Sequence, residues 1–510
     1  MTQARVDLRV FAQYGRDFEE HADVVVVGSG PGGAVVAKEL TDAGARVVLV
    51  EEGPPFTPAD YTLEGGRSMA RTLREGGLRH TTGTVMPTLQ AIALGGGSLV
   101  NSAICHRAPD FALDGWCEAF ALAHTTRADL DPHYDAVGGY LGIAATPEAV
   151  QGPRNLLFKR GCEALGYHCE PTLRNVRGCR GSGECFSGCR SRAKQSTDIT
   201  YVADALRGGA CVLSSARVEC VEVDGRRARG VAGRIVAPFT GRPSHRFRVH
   251  ARLVVLAAGC MATPVLLLRS GNLANGSGQV GRNLQFHPGV AVMGVFPEAV
   301  HPGFGATQGY QSCQFLREGF KLETLWAPPA LLAMRMPGSG RALKRRFEDI
   351  PRAAIWDAIG TCHASLGRVL PRRGSLDPRL AWRLDPGDLA LLVRAISVLT
   401  EIFFAAGARS VLPGLHGIDA EIRSLDQARR LLARTFAPGD LVLGGNHAFC
   451  TTRMHGDPAR GVVDELGRCH DFDNLYIADS GVFPRCPSVN PMWTLMALAR
   501  RTAQAIATEL

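Results

Sequence analysis

The 510-residue chain is 45% hydrophobic and 21% charged, with 59 glycines and 29 prolines dispersed along it, which excludes low-complexity and collagen-like order and implies two or three lobes of ordinary domain size. Its formal charge of +9 comes from scattered Lys and Arg with one modest cluster at residues 340–352, so a solvated face or an entrance for an acidic substrate is expected, not a nucleic-acid groove. The longest apolar run, residues 253–268, is broken by Gly259 and Pro264 and falls short of the about 20 residues a membrane helix needs.

Charges are mixed into the first residues, with no basic stretch followed by an apolar one, so no signal peptide is read there. Fifteen cysteines, an odd number in a long chain, point to reduced thiols, and a cytoplasmic location is expected.

The first strong signal is ADVVVVGSGPGGAVVAKELTDAGARVVLVEEG. An apolar strand precedes Gly28, Gly30 and Gly33 in G-x-G-x-x-G spacing, a helix with Gly44 as its stop follows, and a second strand, Val47–Val50, ends at Glu51. The glycines let backbone amides and a helix N-terminus meet a pyrophosphate, and the acid 18 residues after Gly33 suits a ribose hydroxyl. The fingerprint alone fits NAD or FAD.

Further along, LGGGSLVNSAICHRAP places Gly95, Gly96 and Gly97 before Ser98 and Asn101, where the missing Cβ atoms allow close approach to a flat ring. RLVVLAAG reads as a buried strand stopping at a glycine, with a helix starting at Thr263 and Pro264. NLYIAD is a strand ending in Asp479, an acid that also suits the cap of the next turn.

These segments, with VGRNLQFHPG and DNLYIADSGVFPRCPSVNPMWTLMALARRTAQAIA, resemble the glucose–methanol–choline (GMC) oxidoreductases, especially the cholesterol-oxidase-like and long-chain alcohol-oxidase-like branches. The resemblance covers most of the chain outside residues 295–380 and implies FAD in place of NAD. It also implies a fold class: α/β, with a Rossmann-like FAD-binding domain of residues 18–290 and 440–510, carrying a Cys-rich insertion at about 150–195. Residues 291–439 are then a substrate-binding domain, an antiparallel sheet covered by helices. Val218, Asp479, Pro491 and Met492 are placed beside the cofactor by the same resemblance. Members that attach flavin covalently use a histidine just before the asparagine of the glycine-rich stretch; here that residue is Val100, so non-covalent FAD is expected.

Within HAFCTTRM the resemblance makes His447 the base that takes an alcohol's proton while hydride leaves for flavin N5, a task that suits an imidazole. Asn490, in VNPMWT, is its partner, an amide able to donate to the alcohol oxygen while staying neutral. Cys450 stands where the family has glycine, which is expected to narrow the substrate pocket or alter the backbone. His455 is read as a surface or turn histidine, since its spacing from His447 matches no common zinc pattern, and no metal is expected.

Cys179, Cys185 and Cys189 fall within eleven residues. Three thiolates could hold an iron–sulfur centre, although a structural loop near the active site is favoured. In the middle of the chain, residues 385–408 read as a helix started by proline, with Leu389, Leu392, Val393, Ile396, Leu399 and Phe403 on one face and Gly407 as stop. GYQSCQF fits an amphipathic strand or a pocket wall. The expected function is oxidation of a CH–OH group in a bulky or apolar alcohol, such as a sterol, long-chain alcohol or secondary metabolite. O2 or another acceptor would take the electrons. The alternative is a non-redox lyase or a photodecarboxylase on the same scaffold.

Overall fold

A computed structural model describes residues 7–301, 303–326, 332–333 and 336–510. Its larger sheet runs Asp7–Arg9, Cys211–Leu213, Val47–Val50, Phe18–Val27, Pro243–Leu256, Arg227–Val236 and Ala216–Asp224. The first five strands are parallel, and helices cover them on both faces, which is why Val24 to Val27 and Val47 to Val50 can be apolar throughout. Pro243–Leu256 does double service. Its first part pairs with an antiparallel hairpin, and its last three residues pair with Leu475–Ile477 from near the other end of the chain. Helix Pro31–Asp42 packs between Met492–Ala507 and Tyr201–Arg207, and glycine at position 44 follows it at φ +89°.

A second sheet of seven strands is antiparallel at every pairing: Ser410–Leu412, Gln285–Val295, Ala353–Gly360, Phe320–Leu325, Tyr310–Ser312 and Glu170–Pro171, with Leu443–Phe449 also against Gln285–Val295. Helix Pro386–Ala405 covers one face. The Asp385 carboxylate caps it by accepting from the Gly387 amide at 2.8 Å, and Leu389, Leu392, Ile396, Leu399 and Phe403 are buried while Val393 is half-buried. The Phe403 ring stacks on Trp356 with centroids 3.6 Å apart.

The sheet draws strands from both sides of the expected boundaries. Gln285–Val295 crosses residue 290, Leu443–Phe449 lies beyond 439, and Glu170–Pro171 comes from the Cys-rich insertion. Helix Pro153–Ala164 of that insertion buries Leu157 and Phe158 in the same core as Trp356. Strand patterning identifies a strand but not its long-range partner, so these crossings leave no mark in the sequence. The basic cluster forms helix Gly340–Glu348 with no buried residue, a solvated face. Tyr310–Ser312 is buried along its whole length and Phe315 packs on Tyr167 and Phe320, so those aromatics are core. Among the described residues no helix is long and apolar enough to cross a membrane, and all fifteen cysteines are free.

Candidate active site

Where the parallel strands end, a cavity of about 590 Å³ opens, lined among others by Gly28, Gly30, Glu51, Gly97, Val218 and Asp479. Gly28 has φ +101°, and a Cβ on it would lie 2.3 Å from the Ala257 carbonyl oxygen, so only glycine lets the two strand ends meet. Gly97, by contrast, has nothing within 4 Å of the place a Cβ would take, leaving backbone open to a flat ligand. The helix starting at Pro31 points its unpaired backbone amides at this space, a ready anion site.

Glu51 is buried at the wall. Its Oε2 accepts from the amide and hydroxyl of Ser29 at 2.9 and 2.7 Å, and its Oε1 from the Gly53 amide at 2.7 Å. Burial raises its pKa despite these donors. Asp479 is likewise raised by burial, and it does cap the turn that follows: Oδ1 accepts from the Gly481 amide at 2.8 Å. Its Oδ2 takes the Gly259 amide at 3.0 Å and the Thr263 hydroxyl at 2.5 Å, which fixes the 259–263 segment against the cavity.

Gly33, Ser98, Asn101, Pro491 and Met492 stand behind the wall. A Cβ on Gly33 would lie 2.0 Å from the Gly28 oxygen. The Ser98 hydroxyl donates to Gly95 oxygen at 2.7 Å and accepts from the Thr197 amide at 2.9 Å, and Asn101 Nδ2 donates to Met492 Sδ at 3.0 Å. The glycine-rich turn is fastened further by Lys194, whose buried ammonium donates to the carbonyls of Leu99, Asn101 and Cys185 at 2.6, 2.9 and 2.8 Å. Cys185 itself accepts from Arg174 at 3.1 Å; burial would raise its thiol, but Arg174 and Lys194 bring it below its ordinary pKa. The same guanidinium also lies 3.9 Å from the Cys179 sulfur, so Arg174 serves two of the three thiols of this loop, while Cys189 pairs with Ser191 at 3.3 Å.

The cavity reaches Asn446 and Ala448, which flank His447. The pairs Phe286↔Ala448 and Pro288↔Gly445 leave one extra residue on the His447 strand, a bulge that re-aims its side chain opposite His287. The two Nδ1 atoms are 3.1 Å apart, so one imidazole donates and the other accepts. Burial pushes His447 down to about 4, with Glu323 opposing and Lys321 reinforcing the shift; burial and His447 push His287 down too. Both rings are neutral at pH 7. Asn490 is held between Ser488 at φ +64° and Pro491, just before helix Met492–Ala507. Its Oδ1 accepts from the Lys321 ammonium at 2.8 Å, and Lys321 pairs with Glu323 at 2.7 Å, whose other oxygen accepts from Gln308 at 2.7 Å.

His287, Lys321, Glu323, Ser29 and Lys194 were missed by motif reading. The signal available for one pair was FKLETL, where Lys321 and Glu323 fall on the same face of a strand whose residues Phe320 to Thr324 are all buried. Two expectations are corrected. The Cys450 side chain does not narrow a pocket: it is 1% exposed in the core, 3.5 Å from Gln285 Oε1, and its backbone keeps a glycine-like φ of +75°. His455 is a turn histidine but not a surface one; it is buried, and its Nδ1 accepts from the Asp457 amide at 2.8 Å.

A parallel-sheet nucleotide fold with its cavity against an antiparallel second lobe is the build of a dinucleotide-binding enzyme with a separate substrate lobe. GMC oxidoreductase sequence models match residues 69–289 and 365–499, and an FAD-binding domain model matches 21–86. An uncharacterized GMC-type oxidoreductase of Mycobacterium tuberculosis is 34% identical over 94% of this chain and 75% of its own length. Long-chain-alcohol oxidase FAO4B of Arabidopsis thaliana is 30% identical over 94% of this chain and 66% of its own. Pyridoxine 4-oxidase from Mesorbium loti shares the fold at a TM-score of 0.71, with 20% identity, covering 95% of this chain and 98% of that one. The chain belongs to the GMC oxidoreductase family, and FAD is its cofactor.

Proposed function

We propose that this chain oxidises a CH–OH group of a bulky or apolar alcohol to a carbonyl, with His447 as the base and Asn490 as the donor to the alcohol oxygen. FAD, held without a covalent bond beside Val100, would supply the hydride acceptor. The observation that carries the reading is the orientation of Asn490: its oxygen is occupied by Lys321 at 2.8 Å, so its Nδ2 is the end left to face a substrate. Donating there, it fixes the oxygen and favours the developing alkoxide.

When His447 donates its Nδ1–H to His287, its Nε2 carries the lone pair that takes the hydroxyl proton. A half-buried, neutral imidazole is ready for this at pH 7 without first losing a proton. Residues 18–290 with 440–510 serve the cofactor and 291–439 the substrate, with the strand Gln285–Val295 shared between them. The likeness to a long-chain-alcohol oxidase favours a long apolar alcohol.

The test is anaerobic mixing of the yellow protein with long-chain alcohols, sterols and polar alcohols, followed by air. Bleaching by an apolar alcohol, and its loss in His447→Gln, is expected; recolouring in air with peroxide would identify O2 as acceptor. A flavin left oxidised by every alcohol, with turnover of a cyanohydrin or an illuminated fatty acid, would overturn the reading.

A further inference from the structure

Away from the cavity, three potential ligand atoms converge from three separate segments. His106 lies in the stretch that leaves the glycine-rich turn, Glu170 is on the short strand Glu170–Pro171 at the margin of the second sheet, and Cys313 directly follows Tyr310–Ser312. The His106 Nε2 lies 3.3 Å from the Cys313 sulfur, and that sulfur lies 3.9 Å from Glu170 Oε1; all three atoms are within 4.8 Å of one another. A tetrahedral zinc with Zn–N of about 2.0–2.1 Å, Zn–S of about 2.3 Å and Zn–O of about 2.0–2.2 Å requires ligand-to-ligand edges of roughly 3.3–3.6 Å. The two edges to Cys313, 3.3 and 3.9 Å, are within about 0.3 Å of that requirement, and the third, at most 4.8 Å, closes by a shift of the Glu170 carboxylate toward His106.

Its outer contacts already orient the donors. The His106 Nδ1 lies 2.7 Å from the Arg107 carbonyl, so that nitrogen must carry the hydrogen and the Nε2 lone pair is turned toward Cys313. Gln311 Nε2 donates to Glu170 Oε1 at 2.9 Å and holds the carboxylate in place. A carbonyl–imidazole pair on the far side of a ligand is the usual support of a zinc-bound histidine. One soft sulfur, one imidazole and one carboxylate select a borderline cation over Mg²⁺ or Ca²⁺, which prefer all-oxygen shells.

We propose that His106, Glu170 and Cys313 bind a zinc ion through Nε2, a carboxylate oxygen and Sγ, with water as fourth ligand. The ion would staple the segment after the glycine-rich turn to the second sheet. The register Gln311↔Glu323 and Ser312↔Leu322 puts Cys313 at the end of the ladder next to Lys321, so this staple meets the strand that orients Asn490. The proposal stands on these three side chains and does not require the alcohol-oxidising reading.

To test it, purified holoenzyme is stripped with a chelator, titrated with Zn²⁺, desalted and measured for bound zinc and FAD absorbance, the latter reporting that each variant has folded. Wild type and a Cys179→Ser thiol control should retain one zinc per chain, with melting temperature raised by the ion. In Cys313→Ser and, independently, His106→Gln, half-saturation should move to at least about tenfold higher zinc and the thermal shift should vanish. No zinc retained by wild type, equal retention by both site variants, or loss confined to Cys179→Ser would each overturn the assignment.

Discussion

Replacing Lys321 tests whether a buried cation sets the direction of the Asn490 amide. Its side chain is fully buried, 2.7 Å from Glu323 and 2.8 Å from Asn490 Oδ1. Lys321→Met alone leaves an uncompensated buried carboxylate, which costs about 3–5 kcal/mol and threatens folding. Lys321→Met with Glu323→Gln removes both charges and keeps a hydrogen-bonding partner for Gln308, so the cost falls to about 1–3 kcal/mol, that of one imperfectly satisfied buried polar network. Asn490 then loses the contact that holds its oxygen away from the substrate. Losing a donor aimed at a developing oxyanion slows the chemical step by about 10²–10³. A donor still present but free to rotate should slow the step by about 10- to 100-fold, a partial version of that effect. Stopped-flow flavin bleaching with the best alcohol of the panel measures it. The decisive comparison is Asn490→Ala in both backgrounds: its effect should shrink by about tenfold when Lys321 and Glu323 are already replaced, because the residues act on one hydrogen bond. A double variant that bleaches at the wild-type rate, while Asn490→Ala alone is slow, would refute the positioning argument.

Four further outcomes are expected. With His447 held down to about 4 by desolvation, kcat/KM should climb with pH only up to about 4 and stay flat through neutrality; an apparent pKa near 6.5 would contradict the desolvated base. The same shift couples to stability with a definite sign. The folded pKa lies below the unfolded one, so stability is full above about pH 6.5 and falls as pH drops toward 4, and His447→Gln should flatten part of that fall in melting temperature. Acid precipitation should release all the yellow colour into the supernatant; colour retained in the pellet would mean a covalent flavin despite Val100. At Cys450, with φ +75°, Cys450→Ala keeps a strained Cβ and Cys450→Gly removes it, so glycine should be the more stable of the two by up to about 1 kcal/mol in chemical denaturation.

The parts of the fold visible in the sequence are those set by local rules. Gly28 beside Glu51, the Val47–Val50 strand and the Pro386–Ala405 helix declare themselves because spacing, caps and periodicity act over a few residues. His447 and Asn490 were reachable only through resemblance, since an isolated histidine or an asparagine before proline carries no chemistry of its own. What supports them lay beyond local reading. His287 acts through a bulge made by pairing residues 160 apart, Lys321 reaches Asn490 across 169 residues, and Lys194 reaches Leu99 across 95. The substrate-lobe boundaries were blurred for the same reason: a strand's hydrophobic pattern does not name its neighbour.

The central strand Pro243–Leu256 ends between Phe18–Val27 on one side and Leu475–Ile477 on the other. During synthesis the first pairing can form once residue 256 has left the ribosome, whereas the second must wait for more than two hundred further residues. The pyrophosphate turn can therefore be in place long before Asp479 closes on Gly259 and before Asn490 exists. Flavin capture is in this sense a finishing step of folding, and a nascent chain stalled before residue 475 would own the fingerprint without the vessel.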